Sequence, residues 1–458
     1  MTSETPAEKT MSSIIYPTTN LKATEQLCIE RGDGVYIYDS KGKQYLEGIA
    51  GLWCTALGYG NEELIEAATE QMRTLSFSHM FGGKTHQVGI DLADKIASIV
   101  PVENARVFFG NSGSDANDTL VKMINYSAET SGNAKRRKII ARDRAYHGVT
   151  VASASLTGLA ATQAHFQLPI DALGILRTDA PHFYHQGLAG ETEDQFADRL
   201  AENLEQLIIN NDPETIAAMI AEPINGAGGV IVPPENYFAK IQTVLDKYGI
   251  TMWADEVITG FGRTGCDFGS TTVGMKPKMM TLAKALSSAY MPISAAIISE
   301  EMYQTLVEPS AKIGAFGHGY TYSGHPVAAA VALKTIEIYE RDNIYQRAAK
   351  TGEYLLTKLH ALGDHPLVGE VRGKGLLAAI ELMANKETKQ SFNDGTVGSY
   401  ANLRCQENGL ICRAVAGNTL AFCPPLIITM EQIDELIEKL TLSLNETLAY
   451  AQKERLMT

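Results

Sequence analysis

Between residues 105 and 300, short apolar runs alternate with helical patterns. The runs are Ala105–Phe109, Lys138–Ala141, Thr215–Ala221, Ile250–Ala254, Met279–Ala283 and Ile293–Ser299. One intervening helix spans 194–209, where Phe196, Leu200, Leu204, Leu207 and Ile208 stack on one side. Strands that alternate with helices predict a mostly parallel sheet covered on both faces. Outside this block the pattern changes. Residues 27–47 alternate and carry turn signals at Arg31-Gly32-Asp33-Gly34 and Lys41-Gly42-Lys43, which predicts a small antiparallel sheet. Residues 61–75 read as an amphipathic helix with Leu64, Ile65, Ala68 and Met72 on one face. A long Ala-rich helical stretch covers 326–362. Beyond it come short strands, such as Gly375–Glu381 and Thr419–Phe422, and a closing helix carrying Ile433, Leu436, Ile437, Leu440 and Leu444. The pattern predicts a large α/β domain and a smaller α+β domain built from both ends of the chain. The first ~20 residues read as loosely ordered.

Length and charge narrow the picture. A chain of 458 residues exceeds one ordinary core and suggests two or three domains. With 45% hydrophobic and 20% charged residues it has a globular balance, so disordered and fibrous architectures are excluded for most of it. Asp and Glu total 53 against 39 Lys and Arg, and the longest basic run is Lys135-Arg136-Arg137-Lys138. A nucleic-acid partner needs more concentrated positive charge than that. No segment approaches the ~20 apolar residues that span a bilayer, and the polar start MTSETPAEKTMSS has no signal-peptide core. The expectation is a cytoplasmic protein with no nucleic-acid or membrane partner. Cys28, Cys54, Cys266, Cys405, Cys412 and Cys423 form no C-x-x-C pair and have no metal-finger spacing with His, which reads as free thiols and no metal site.

Ligands of open α/β sheets sit beyond the carboxyl ends of the strands, and polar residues follow the apolar runs in four places. In Phe108-Phe109-Gly110-Asn111-Ser112-Gly113-Ser114-Asp115 a strand meets a small-residue turn and then a helix from Ala116 to about Tyr126. Such a turn can seat a phosphate on free N–H groups, although Ser and Asp are also ordinary helix caps. Ala145-Tyr146-His147-Gly148 offers an aromatic that can stack on a flat ring or simply be half-buried. Ile250-Thr251-Met252-Trp253-Ala254-Asp255-Glu256 puts two carboxylates after an apolar strand, either as helix caps or as partners of a buried cation. Met279-Met280-Thr281-Leu282-Ala283-Lys284 places a lysine in an apolar, small-residue stretch, where it either snorkels to the surface or is desolvated for Schiff-base chemistry. Each place alone leaves both readings open. Their order describes a pyridoxal phosphate site, which needs a phosphate anchor, a ring stacker, a partner for the ring nitrogen and an amine.

At these residues the chain resembles a class III aminotransferase of fold type I, in the ω-transaminase (ω-amino acid or amine:pyruvate) subgroup. The resemblance runs from about residue 30 to the end through NSGSDAND (111–118), AYHG (145–148), AEPINGAGG (221–229), ADEVITGFGRTG (254–265), LAKALSSAYMPISA (282–295), FGHGYTYSGHP (316–326) and ICRAVAGNTLAFCPPL (411–426). It implies a large domain with a mostly parallel seven-stranded sheet at 60–329, and a small α+β domain from 1–59 and 330–458. The implied cofactor is pyridoxal 5'-phosphate. Lys284 matches the lysine that holds it and shuttles a proton. Asp255 matches the carboxylate paired with the pyridine nitrogen. Tyr146 and Val257 match the residues on the two ring faces. Ser112, Gly113 and Ser114 match the phosphate turn, and His147 and Glu222 supporting positions around the ring.

Thr321 matches a threonine that reaches the phosphate of the neighbouring subunit, which implies a homodimer or tetramer with active sites at the subunit interface. Trp53, Phe81, Tyr146, Val149 and Ile258 match the substrate pocket, and Arg413 the mobile arginine that binds the substrate carboxylate. The implied partners are an amine donor and a keto acid acceptor. Ala227 stands where ornithine and 4-aminobutyrate aminotransferases carry a Glu that parks this arginine, which makes a diamine or 4-aminobutyrate enzyme using 2-oxoglutarate the alternative. Ala285, Trp253 and Thr18 depart from the common pattern at their positions.

Overall fold

The computed structural model describes residues 13–22 and 26–457. The expected looseness of the first ~20 residues falls largely on 1–12, outside the described residues. Seven strands make the central sheet: β4 (Arg106–Gly110), β5 (Lys138–Arg142), β6 (Ile175–Thr178), β7 (Ile216–Ala221), β8 (Thr251–Asp255), β9 (Met279–Leu282) and β10 (Ser294–Ile298). Their order is β4-β10-β9-β8-β7-β5-β6. The pairs among β5 to β9 are parallel, and β10 runs antiparallel to both its neighbours. Six of the seven coincide within a residue with the apolar runs. The seventh, β6, was not among them: it is an edge strand whose Leu176, Arg177 and Thr178 are only half-buried, so it needs no apolar run.

The sheet is covered as an α/β fold requires. The helix Glu193–Asn210 buries Phe196, Leu200, Leu204 and Ile208. The 326–362 stretch is two helices, Pro326–Arg341 and Ile344–His360, broken where Asn343 takes a left-handed φ of 52°. Asn tolerates that conformation better than other non-glycine residues. The helix Glu62–Thr74 departs from expectation. Leu64 is buried, but Ile65 and Met72 are 42% and 53% exposed. They lie about 80–100° round the helix from Leu64, so only one edge of the stripe meets the helix Pro326–Arg341 packed against it.

Strands from the two ends of the chain meet beside this sheet. β1 (Ile29–Asp33), β2 (Tyr36–Asp39) and β3 (Gln44–Glu47) form the expected antiparallel sheet, and β14 (Leu410–Ile411) adds to β3 in parallel. β11 (Val368–Lys374), β12 (Leu377–Asn385), β15 (Arg413–Val415) and β16 (Thr419–Phe422) form another antiparallel sheet, and the short β13 (Gln390–Ser391) pairs with β12. The closing helix, Met430–Lys453, buries Ile433, Leu436, Leu440 and Leu444. Among the described residues no helix is long and apolar enough to cross a membrane, and all six cysteines are free.

Candidate active site

A cavity of about 730 Å³ opens at the carboxyl ends of β4, β5, β7, β8 and β9. Thirteen of the sequence-predicted site residues line it: Trp53, Ser112, Gly113, Ser114, Tyr146, His147, Val149, Glu222, Asp255, Val257, Ile258, Lys284 and Arg413. Thr18 and Ala227 line it as well. Phe81 and Thr321 do not. Both are exposed, and Phe81 packs against Gly319 of the loop that carries Thr321.

One wall is the start of the helix Gly113–Thr130, two turns longer than the sequence pattern indicated. Ser112 caps it through a reciprocal box: its hydroxyl accepts from Asp115 N, and the Asp115 carboxylate accepts from Ser112 N. Such a cap contributes about 1 kcal/mol. The next two N–H groups, of Gly113 and Ser114, have no acceptor among the described residues. With the helix dipole behind them they make an anion seat. A Cβ on Gly113 would sit 2.9 Å from Val257 Cγ2, so only glycine allows this approach.

The floor carries two adjacent carboxylates with different duties, because neighbouring residues on a strand point to opposite faces. Asp255 faces the cavity. Its Oδ2 accepts from Asn117 Nδ2 at 3.1 Å and meets His147 Nδ1 at 2.7 Å, while Oδ1 accepts from Val257 N at 3.1 Å. Glu256 faces away and takes the Thr259 hydroxyl and the N–H groups of Gly269 and Ser270. The two readings left open by the sequence are thus divided between neighbours: Glu256 serves a helix start and Asp255 the cavity.

Lys284 follows β9 with a left-handed φ of 51°. Its Nζ lies 5.4 Å from the centre of a Trp53 ring. Burial lowers its pKa, opposed by Cys54, Asp255, Cys423 and Glu222. Glu222 accepts from Tyr146 N at 3.0 Å and Gly226 N at 2.8 Å, and burial raises its pKa. Arg413 also approaches a Trp53 ring, at 5.9 Å, and has no carboxylate partner among the described residues. Burial lowers its pKa, the Tyr146 hydroxyl opposing. Trp53 itself is 3% exposed and sits on a turn where Ala50, Gly51 and Trp53 all have positive φ. Buried Glu47 accepts from Ile49 N at 3.1 Å beneath that turn.

The residues fit pyridoxal phosphate. Unpartnered N–H groups suit its phosphate, and Asp255 Oδ1 retains a lone pair for a ring nitrogen. Tyr146 and Val257 would supply ring contacts, and a desolvated Lys284 would supply the amine. Sequence reasoning missed Asn117 and Thr281, both fully buried. Asn117 lies four residues beyond Gly113, on the same helix face. A polar residue in that apolar stripe was the available signal, because buried amides have partners.

The family described as class III aminotransferase matches residues 18–444. A tomato (Solanum lycopersicum) mitochondrial gamma-aminobutyrate transaminase 1 is 48% identical over 92% of this chain and 82% of its own length. Among solved structures, the omega transaminase from Pseudomonas jessenii in complex with PMP is 48% identical, with a TM-score of 0.93 over 95% of this chain and 97% of that one. A transaminase solved with L-alanine is 52% identical, with a TM-score of 0.90 over 93% and 100%.

Proposed function

The chain belongs to the class III aminotransferases, which use pyridoxal phosphate, and from that premise we propose that it moves an amino group from a primary amine or ω-amino acid to pyruvate, giving alanine by ping-pong transfer. The observation that carries this reading is Arg413. It is the one guanidinium among the described residues that line the cavity, it has no ion-pair partner there, and Ala227 on the wall of the same cavity offers no carboxylate to hold it. One guanidinium binds one carboxylate in a bidentate fork. Pyruvate has one carboxylate and 2-oxoglutarate has two. A free arginine also avoids a fixed buried charge when an apolar amine occupies the same space.

Pyridoxal phosphate supplies an aldehyde that takes up the amino group and a ring that accepts electrons. Asp255, held by His147 and Asn117, keeps the ring nitrogen protonated. Lys284 Nζ, its pKa lowered, takes the proton from the substrate carbon and returns it on the other side of the transfer. The Gly113 and Ser114 N–H groups would hold the phosphate, and Tyr146 and Val257 would contact the ring. Trp53, Val149 and Ile258 wall the substrate.

The protein is read as a homodimer, with Phe81 and Thr321 completing the neighbouring site. What supports this is an exposed apolar patch around them: Phe77 packs edge-on against Tyr322 with centroids 5.8 Å apart, and both are exposed. The pairing of β3 with β14 supports reading 1–59 and 330–458 as one small domain beside 60–329.

The gamma-aminobutyrate transaminase relatives favour a second reading, 4-aminobutyrate or a diamine as donor with 2-oxoglutarate as acceptor. A donor panel separates the two. β-Alanine, putrescine, 4-aminobutyrate and both enantiomers of 1-phenylethylamine are each offered with pyruvate or 2-oxoglutarate, following alanine or glutamate. Pyruvate-dependent turnover is expected. Turnover with 2-oxoglutarate alone replaces this reading with the second.

A further inference from the structure

Behind Asp255 runs a chain of buried polar groups that ends on an indole. Trp253 Nε1 donates to Thr281 Oγ1 at 2.9 Å, Thr281 Oγ1 donates to Asn117 Oδ1 at 2.6 Å, and Asn117 Nδ2 donates to Asp255 Oδ2 at 3.1 Å. The second Asn117 proton goes to the His147 carbonyl at 2.6 Å. Trp253, Thr281 and Asn117 are all fully buried.

The direction of every bond follows from what each group can do. An indole nitrogen only donates, so the Thr281 oxygen accepts from it. The single Thr281 proton then points at the one acceptor in reach, Asn117 Oδ1. With its oxygen engaged, the amide must turn its NH₂ toward the carboxylate and the His147 carbonyl. Flipped by half a turn, the same amide would set oxygen against the Asp255 carboxylate and the His147 carbonyl, and would leave the Thr281 proton without an acceptor. That arrangement loses a charge-assisted bond and adds a repulsion in a low-dielectric interior. The polarity of the amide therefore depends in part on a residue that does not line the cavity and makes no hydrogen bond to Asp255.

We propose that Trp253 is a positioning residue for the cofactor's ring-nitrogen partner: acting through Thr281, it fixes Asn117 in the orientation that donates a hydrogen bond to the Asp255 carboxylate. The inference rests on the reading of Asp255 given above. Around that carboxylate the other titratable groups are His147 at 2.7 Å, Tyr146, Glu222 and Lys284, and none of these is altered in the test.

The test is a pH titration of the visible absorption band of the bound cofactor in reconstituted holoenzyme, with cofactor affinity measured alongside. A ring nitrogen that holds its proton less firmly withdraws less charge from the chromophore, so the midpoint moves to higher pH. Asp255→Asn is expected to move it most. Thr281→Val, which keeps shape but removes the hydroxyl, should move it up by about one unit, the size of one lost bond to a charged group. Trp253→Phe, which frees Thr281 to reverse, should move it less, and Thr281→Ser should leave it where it is.

If Asp255→Asn shifts the midpoint while Thr281→Val and Trp253→Phe do not, the relay is wrong and the Asp255 reading stands. A shift in Thr281→Ser equal to that in Thr281→Val also overturns the relay, since packing and not the hydroxyl would be responsible. An unmoved midpoint in Asp255→Asn overturns the Asp255 reading and the relay with it. Should Thr281→Val fail to fold, Trp253→Phe decides alone.

Discussion

The floor of the cavity and its rim are built differently. Asp255, Glu222 and His147 follow neighbouring parallel strands and are nearly inaccessible; all four carboxylate oxygens and His147 Nδ1 are bound by named partners, while His147 Nε2 has none among the described residues. Phe81, Val149 and Thr321 are exposed, Val149 at 71%. A floor held by backbone N–H groups and buried amides is pre-organised, which is what stabilising a developing charge requires. A rim with exposed apolar side chains is unfinished within one chain. Under the homodimer proposed above, the chemistry stays in the strand ends of one chain, and a second copy supplies substrate access and the last phosphate contact.

The largest effect should come from the floor. Lys284→Ala is expected to lower turnover by at least about 10³-fold, the scale of losing a positioned proton carrier, measured as alanine formation from 1-phenylethylamine and pyruvate. Turnover within tenfold of wild type would move the chemistry away from the floor.

The next effect tests what holds the Trp53 turn in place. Burial raises the pKa of Glu47, beneath the Trp53 turn, from 4.5 to about 7. Between those values the folded state binds a proton that the unfolded chain has released. The contribution of this group to stability is therefore fully present below about pH 4.5 and lost as pH rises to about 7, by about 3 kcal/mol. Glu47→Gln keeps an acceptor for Ile49 N and cannot ionise. Its stability in urea should fall less than that of the wild type between pH 5 and pH 8. Parallel pH curves for the two proteins would show that Glu47 does not titrate in that window.

Arg413 sits between floor and rim. Arg413→Ala should cut kcat/KM for pyruvate about 10²-fold, as expected for a lost bidentate carboxylate contact. The rate with 1-phenylethylamine in a single donor half-reaction should stay within a few-fold. Equal losses in both would mean that Arg413 supports the pocket instead of reading a carboxylate.

How much of this was legible depended on whether the chain signals locally. Asp255 and Lys284 stand within two residues of a strand end, directly after an apolar run, so the alternation that located β8 and β9 located them too, whereas Glu222, directly after β7, was reached only through the resemblance. Resemblance then assigned their roles. Asn117 and Thr281 carried no such mark, since one polar residue within a helix or strand resembles many others until the fold buries it. β6 escaped because an edge strand can afford Arg177 and Thr178. The break at Asn343 hid in an Ala-rich stretch whose two halves share one period. Ile65 and Met72 were placed on the right helix and the wrong side of it, because the width of a stripe does not say how much of it meets a neighbour.

The smallest effect is the sharpest test of the rim. Thr321 lies outside the cavity of its own chain, so Thr321→Ala can reach a cofactor only across a subunit contact. Losing one hydroxyl bond to a phosphate should weaken pyridoxal phosphate binding about tenfold, read by equilibrium dialysis, with Thr321→Ser retaining wild-type affinity. Mixing makes the direction of the effect visible. In a hybrid of one Thr321→Ala subunit and one Lys284→Ala subunit, the subunit that keeps Lys284 receives Thr321 from its partner. That site should bind cofactor with full affinity and turn over, while each variant alone is impaired. If the hybrids show no recovery, or if Thr321→Ala binds as tightly as the wild type, the rim is not completed by a second copy, and the contrast between floor and rim reduces to one of burial.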